Sequence, residues 1–278
     1  MARKTKLIFF FLLSSGACFF FSRASDENVF SVKAVSSSLP PHPEWAIPPP
    51  SPQEETFLKS ILSQKFTFLG NGAQAIAFQS EDGKHVLKVF KMHRLTPSFA
   101  DQLCPHMMRR RLRNLRWVFN GHKHAYEMFR KESGLVWIHL AKTQTFHHTI
   151  TLLDEQGKQH LLDVDQAEFV LQEKAELLFD HLKRLYNEGK HEQAEEAIAS
   201  MLQFIQQRAS QGFADRDKGI SGNYGFVEGR PIQVDLGRFH KIGFRRPHKQ
   251  GRTERQVERF KLRIEKWKEE TKIEPVDG

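Results

Sequence analysis

Cysteine is scarce in this sequence of 278 residues, which contains only Cys18 and Cys104. If the N-terminal segment that carries Cys18 is removed, Cys104 stands alone and no disulfide forms within the chain. Cysteine usage therefore neither supports nor excludes an oxidising compartment.

The sequence also lacks an apolar run of the roughly 20 residues that span a bilayer as a helix. Its one long run, Leu7 to Phe21, has 15 residues, follows Arg3, Lys4 and Lys6, and precedes Ser22-Arg23-Ala24. This layout predicts a secretory signal within residues 1–25, cut after Ala24, with an uncleaved signal anchor as the alternative. We therefore expect the chain to be exported or membrane-anchored rather than cytoplasmic.

An excess of acidic residues is absent as well. Lys and Arg number 42 against 33 Asp and Glu, for a formal net charge of +9. Such a balance favours anionic partners, among them nucleotides, lipid head groups, phosphosugars and nucleic acid, without choosing among them. The 14 histidines show no close metal-ligand spacing beyond the pairs His122/His124 and His147/His148, which we interpret as surface residues.

Residues 26–50 are rich in Ser and Pro, a composition that favours extended backbone and indicates a linker. The domain is predicted over 51–278, and its first helix over 52–63. Ser51 is a good N-cap, Pro52 suits the first helical position, and Glu54 completes a capping box.

The order of apolar patterns is β-rich, helical, β-rich again and then mostly helical, which predicts an α+β fold with two lobes. Turn signals at Glu155-Gln156-Gly157 and Glu228-Gly229 predict hairpins over 149–164 and 225–235. A last helix is predicted near 253–272, with Val257, Phe260, Ile264 and Trp267 docked on the rest of the domain.

Two short patterns have chemistry typical of phosphate binding. Gly70 and Gly72 lie between strand-like segments, where glycine lets backbone N–H groups approach an anion, although a plain hairpin turn fits the same residues. Lys88 stands in the apolar run Val86-Leu87-Lys88-Val89-Phe90, where an ammonium group needs a partner or must reach water from an edge strand.

A third pattern is the polar loop with Asp215, Asp217 and Asn223, followed by a hairpin and Asp235-Leu236-Gly237. Phosphoryl transfer needs a carboxylate that orients the attacking hydroxyl, and an amide and a second carboxylate that hold Mg²⁺. Because Asp, Asn and Gly also favour ordinary loops, a purely structural role is the alternative.

From about 66 to 239 the order of these motifs resembles the protein-kinase-like superfamily, and small bacterial phosphotransferases such as lipopolysaccharide-core kinases more than Ser/Thr kinases. The resemblance implies a small β-rich N-lobe over about 51–172 and an abbreviated helical C-lobe over about 173–278. It implies ATP and Mg²⁺ as cofactors, with nucleotide contacts from Gly70, Gly72, Lys88 and Glu127. It also implies Asp217 and Lys88 as catalytic residues, and Asn223 and Asp235 as metal ligands.

The sequence departs from that family in several places. Asp217 and Asn223 are six residues apart, one more than usual, so Asp215 is a rival for the base. Glu127 is preferred to Glu132 as the helix partner of Lys88. No Ala-Pro-Glu follows Gly237 and few residues remain, so a peptide acceptor is doubtful and a non-peptide or unknown hydroxyl acceptor is expected.

Two functions are therefore kept: an ATP- and Mg²⁺-dependent phosphotransferase, and a noncatalytic kinase-fold protein that serves as an envelope or secreted interaction module. The second is kept because export would carry the domain to where ATP is scarce. The arginine-rich segment Met107 to Trp117 is read as a solvated helix face, with an anionic membrane, nucleic acid or a phosphorylated substrate as alternatives. Nucleic acid is the least expected partner, because only the basic charge of the chain supports it.

Overall fold

The computed structural model describes residues 30–36, 39–40, 42–215, 219–241 and 249–271. The chain divides into two units, Met1–Ser31 and Val32–Gly278, and all the helices and strands described belong to the second. Of the first unit only residues 30 and 31 are described, and neither belongs to a helix or strand. The predicted signal over 1–25 lies outside the described residues.

One sheet of seven strands carries the first half of the fold. Its strands are β1 Lys65–Asn71, β2 Ala75–Ser80, β3 His85–Phe90, β4 Leu135–His139, β5 Thr149–Leu153, β6 Gln159–Asp163 and β7 Phe169–Glu173. The spatial order is β4-β7-β3-β2-β1-β5-β6. Every neighbouring pair is antiparallel except β1 with β5, which is parallel.

Short strands follow in the second half. They are β8 Glu176–Leu177, β9 Phe213–Asp215, β10 Tyr224–Val227, β11 Arg230–Gln233 and β12 Phe239–Lys241. Strands β11, β10 and β8 form one small sheet, and β12 pairs with β9. The hairpins predicted over 149–164 and 225–235 are therefore confirmed as β5–β6 and β10–β11.

Nine α-helices are found in the described part of the chain. They are α1 Val32–Val35, α2 Pro52–Leu62, α3 Met92–Leu95, α4 Phe99–Gln102, α5 Pro105–Met128, α6 Arg130–Ser133, α7 Leu178–Asn187, α8 His191–Ser210 and α9 Lys249–Thr271. None of them is long and apolar enough to cross a membrane. The predicted α+β class is confirmed, because helices and mostly antiparallel strands occur together in this one unit.

The start of α2 shows how local sequence sets an element. The Ser51 hydroxyl accepts a hydrogen bond from the backbone N–H of Glu54, and the Glu54 carboxylate accepts one from the Ser51 N–H. These two bonds satisfy N–H groups that a helix start otherwise leaves free. The helix predicted over 52–63 is thus confirmed.

Two apolar clusters support the parts of the fold that line the site. The first joins α5 to the sheet and to the segment after β11, and it includes Phe90, Phe119, Phe129, Leu236 and Phe239. The second joins α7, α8 and α9 to the β10 strand. Burial on this scale contributes about 2 kcal/mol for each large apolar side chain, so α5 is held firmly against the sheet.

The last helix contributes Phe260, Ile264 and Trp267 to the second cluster, where all three side chains are buried. Their spacing of four and three residues places them on one stripe of α9. The predicted docking of this helix is confirmed.

Part of the predicted linker packs on the domain. Trp45 is buried in the first cluster, lies edge-on to Phe119 at 4.9 Å, and donates a 2.8 Å hydrogen bond from Nε1 to the Asn120 side chain. The domain boundary at 51 stays a prediction, and the structure adds that residues before it contribute to the core.

Candidate nucleotide site

A cavity of about 980 Å³ lies beside the middle of the sheet and carries most of the predicted site. Gly70, Gly72, Lys88 and Asp235 all line it. Cavities of this size hold cofactor-sized ligands. The structure therefore brings together residues that are up to 165 positions apart in the sequence (Gly70 to Asp235).

The glycine turn, residues 70–74, closes the cavity on one side between β1 and β2. The Gly72 N–H donates a 3.0 Å hydrogen bond to the Ala75 carbonyl, and a Cβ at Gly72 would lie 3.1 Å from that same oxygen. A Cβ at Gly70 would meet nothing within 4 Å, so the space beside Gly70 is open. Backbone at Gly70 can thus approach a bound anion closely.

Lys88 lies in the centre of β3, between Ala77 on β2 and Val170 on β7. Its Nζ donates a 2.7 Å hydrogen bond to the backbone carbonyl of Val234. Burial lowers the Lys88 pKa to about 8, and the negative charge of Asp235 opposes that shift. Because β3 is an inner strand, the edge-strand reading of this lysine does not apply.

Asp235 follows the β10–β11 hairpin directly. Its Oδ1 accepts a 2.9 Å hydrogen bond from the Gly237 N–H, and its carbonyl accepts one from the Gln233 side chain at 3.0 Å. A Cβ at Gly237 would clash with the Gln74 side chain of the glycine turn. The Asp-Leu-Gly segment and the glycine turn therefore approach each other closely, and a side chain at position 237 would displace the end of the Gln74 side chain.

Asn223 is held beside the same segment. It is buried, and its carbonyl accepts a 2.8 Å hydrogen bond from the Val234 N–H, one residue before Asp235. Among the described residues, its side-chain Nδ2 has no hydrogen-bond partner. A buried amide without a partner costs free energy, so Asn223 is a candidate for contact with a ligand or with the neighbouring loop.

The helix residue that faces Lys88 is His122, which the sequence interpretation treated as a surface residue. That interpretation is wrong, because His122 is only 5% exposed and lines the cavity. Its Nδ1 donates a 2.7 Å hydrogen bond to the Val118 carbonyl, so Nε2 is left as an acceptor in the neutral ring. Burial and, to a smaller extent, the Lys88 charge lower the His122 pKa to about 4, although the hydrogen bond to Val118 and the charge of Asp235 oppose the shift.

Glu127, the predicted partner of Lys88, lies elsewhere on the helix. Its carboxylate is 44% exposed and lies 3.8 Å from the ammonium of Lys123. Five residues of helix rotate Glu127 by about 140° away from His122. The sequence signal that finds His122 is periodicity, since Leu115, Val118, Phe119, His122 and Ala125 form one buried stripe.

The predicted base cannot be placed. Asp217 lies outside the described residues, as does the side chain of its rival Asp215. The backbone of Asp215 pairs with Phe239 in the two-stranded β9–β12 sheet. In the described part of the chain, no group of three or more His, Cys, Asp or Glu side chains could hold a metal ion. The proposed ligands Asn223 and Asp235 are instead one amide and one carboxylate.

The buried His122 predicts a pH-dependent stability. Its folded pKa of about 4 lies below the ordinary value of 6.5, so between these values the unfolded chain takes up a proton that the folded chain does not. The free energy of unfolding is expected to fall as the pH is lowered from 6.5 towards 4. The loss from this residue is on the order of 2 to 3 kcal/mol.

Urea denaturation of the wild type and of His122→Gln at several pH values in this window measures that loss. The variant, which has no group to protonate at this position, should show a shallower pH dependence than the wild type. Equal slopes for the two proteins would show that His122 does not stay neutral in the fold.

These placements define a kinase-like α+β fold. A glycine turn joins the first two strands, a lysine stands on the third, a helix follows, and an Asp-Leu-Gly segment comes after a hairpin. The division into two lobes stays a prediction.

Neither a protein-family model nor a curated protein matches the chain. Similar solved structures have kinase folds. A structure of WbdD with the kinase inhibitor LY294002 is 12% identical, with a TM-score of 0.35, over 71% of this chain and 45% of that chain. The ROP18 kinase domain with AMP-PNP and sucrose is 13% identical, with a TM-score of 0.32, over 63% and 51%.

A third similar structure is ROP2 from Toxoplasma gondii, described as having a protein-kinase fold and no enzymatic activity. It is 13% identical, with a TM-score of 0.33, over 72% of this chain and 63% of that chain. The chain spans about half the length of the WbdD and ROP18 structures it matches. At these low TM-scores, the fold assignment rests on the chain's own strand order and cavity.

Proposed function

We propose that the chain is a phosphotransferase that uses ATP with Mg²⁺ and transfers phosphate to a hydroxyl acceptor. The observation that carries this proposal is the meeting of Lys88, Asp235 and the glycine turn at one cavity. A buried ammonium and a carboxylate beside a glycine turn with open space at Gly70 are complementary to a metal-bound polyphosphate.

The residues divide into three roles. The glycine turn and Lys88 would contact the phosphates, and Asn223 and Asp235 would hold Mg²⁺, whose charge offsets that of the phosphates. Asp217, or Asp215 if the register differs, would orient the acceptor hydroxyl. One observation supports the fit: the negative charge of Asp235 acts on the Lys88 ammonium and raises its pKa against the effect of burial. The buried Asn223 Nδ2, which has no partner in the described residues, is a hydrogen-bond donor and suits a phosphate oxygen rather than the metal.

A second function is favoured by a different observation. The helix residue at the cavity is the neutral His122, while Glu127 lies on the exposed face. A neutral imidazole cannot form the ion pair with which a carboxylate would hold the Lys88 ammonium in place. Lys88 is instead held by the Val234 carbonyl. A noncatalytic module that keeps the fold for binding is therefore the alternative.

Measurement of ADP formation by the purified wild-type chain separates the two functions. With ATP, Mg²⁺ and a panel of sugars, glycolipids, nucleosides and peptides, the phosphotransferase is expected to release ADP above the no-protein background in an acceptor-dependent manner. ATP binding without ADP formation on any acceptor would favour the noncatalytic module.

A further inference from the structure

Arg208, on the last turn of α8, is a buried arginine behind the β10–β11 hairpin, with only 1% of it exposed. Its Nη1 donates hydrogen bonds to Gln233 Oε1 at 2.6 Å and to the Tyr224 hydroxyl at 3.0 Å, and these two residues are paired across the hairpin. Its Nη2 donates a 2.8 Å hydrogen bond to Gln256 Oε1 on α9. One guanidinium therefore joins α8, both strands of the hairpin and the last helix.

The guanidinium fixes the orientation of the Gln233 amide. Arginine has hydrogen-bond donors only, so the end of the amide that faces it must be the oxygen. The other end, Nε2, then donates its 3.0 Å hydrogen bond to the backbone carbonyl of Asp235. Gln233 is buried, so its amide has no bulk water as an alternative partner. Arg208 therefore acts on the backbone of Asp235 through one intervening side chain.

The contact of Arg208 with the other strand leads to Asn223. Tyr224, whose hydroxyl accepts from Arg208, is the next residue in the chain. The carbonyl of Asn223 accepts a 2.8 Å hydrogen bond from the Val234 N–H, one residue before Asp235. Both residues proposed to hold Mg²⁺ are thus attached to the hairpin that the guanidinium binds.

We propose that Arg208 is a positioning residue of the candidate nucleotide site and acts through Gln233 on the place of Asp235. The Val234 carbonyl, which lies between these two residues, also accepts the hydrogen bond from Lys88. A shift of this segment would therefore move the partner of the ammonium and the carboxylate together. Arg208 is not among the described residues that line the cavity. Its role rests on the proposed binding of ATP with Mg²⁺ there.

The measurement is the apparent dissociation constant of Mg²⁺ at saturating ATP, obtained from the melting temperature as free Mg²⁺ is raised. Gln233→Glu keeps an acceptor for Arg208 but turns a carboxylate oxygen, in place of Nε2, towards the Asp235 carbonyl. We expect the Mg²⁺ constant to rise at least tenfold, as is usual when a group behind a metal ligand is replaced. The added negative charge would by itself favour Mg²⁺, so it cannot explain such a loss.

Arg208→Lys tests the guanidinium itself. Lysine keeps the charge, but a single ammonium cannot reach Gln233, Tyr224 and Gln256 as the planar fork does. We expect this variant also to raise the Mg²⁺ constant by about tenfold, with a lower melting temperature in the absence of ligands.

The matched control for lost stability is Ile198→Ala. Ile198 is a buried residue of α8, about 15 Å before Arg208 along the helix axis. Its truncation leaves a cavity and should lower the melting temperature while the Mg²⁺ constant stays within about twofold of the wild-type value. An equal rise of the constant in this control would assign the effect to stability and overturn the positioning role.

An unchanged Mg²⁺ constant in both Gln233→Glu and Arg208→Lys, with only the melting temperature lowered, would make Arg208 a purely structural residue. Failure of the proposed function itself gives a different result. The wild type would then show no Mg²⁺-dependent rise in melting temperature, and the positioning role would fall with the site.

Discussion

Asp217→Asn is expected to keep ATP binding and to lose turnover by about 10²–10⁴-fold, the usual contribution of a positioned general base. The amide has nearly the shape of the carboxylate but cannot accept the acceptor hydroxyl's proton. The measurement compares steady-state ADP formation with nucleotide affinity from titration calorimetry. A loss of turnover at unchanged affinity places Asp217 at the transferred group.

The matched variant is Asp215→Asn, two residues before Asp217 in the sequence and the last residue of β9. If Asp217 is the base, Asp215→Asn should retain turnover within about tenfold, since it loses no transition-state interaction. If Asp215→Asn is the damaging change and Asp217→Asn is nearly neutral, the predicted register is wrong by two residues, although the fold is unaffected.

Lys88→Met is expected to abolish stabilisation of the protein by nucleotide. At a ligand concentration of 100 times the dissociation constant, the wild type gains about 2.7 kcal/mol. Methionine fills a similar volume without the ammonium that would contact phosphate. Because burial already lowers the Lys88 pKa, the free variant should be within about 1 kcal/mol of wild-type stability.

Thermal unfolding with and without ATP measures both quantities. Lys65→Met, an exposed lysine on β1, removes the same charge away from the cavity and should keep the full nucleotide shift. A Lys88→Met protein that unfolds earlier but is stabilised by ATP as much as the wild type would make Lys88 a purely structural residue.

The elements that the sequence predicted well are those set by local signals. The capping box at Ser51 and Glu54 and the turn at Glu228-Gly229 each need only neighbouring residues, and each occurs as predicted. The strand around Lys88 was likewise readable, because an ammonium within an apolar run requires a partner. Its partner, the Val234 carbonyl, lies 146 residues away and has no sequence signature.

The features that were missed depend on packing between distant segments. Glu127 was chosen for its charge. The residue of α5 that lies at the cavity is instead His122, which belongs to the buried stripe of the helix. Its apolar neighbours bury it, although histidine is usually more exposed. Trp45 belongs to the proline-rich stretch that was predicted to be a linker, but its side chain packs on Phe119. The parallel pairing of β5 with β1 joins strands separated by many residues, which local patterns do not encode.

The cavity lined by Gly70, Lys88 and Asp235 is expected to bind ATP together with Mg²⁺. Differential scanning calorimetry of the full-length chain, with ATP alone and with ATP and Mg²⁺, tests it most directly. We expect a rise in melting temperature of about 5 to 10 °C with both ligands at saturation, a smaller rise with ATP alone, and loss of the Mg²⁺ increment in Asp235→Asn. No rise at millimolar nucleotide, with or without Mg²⁺, would contradict it.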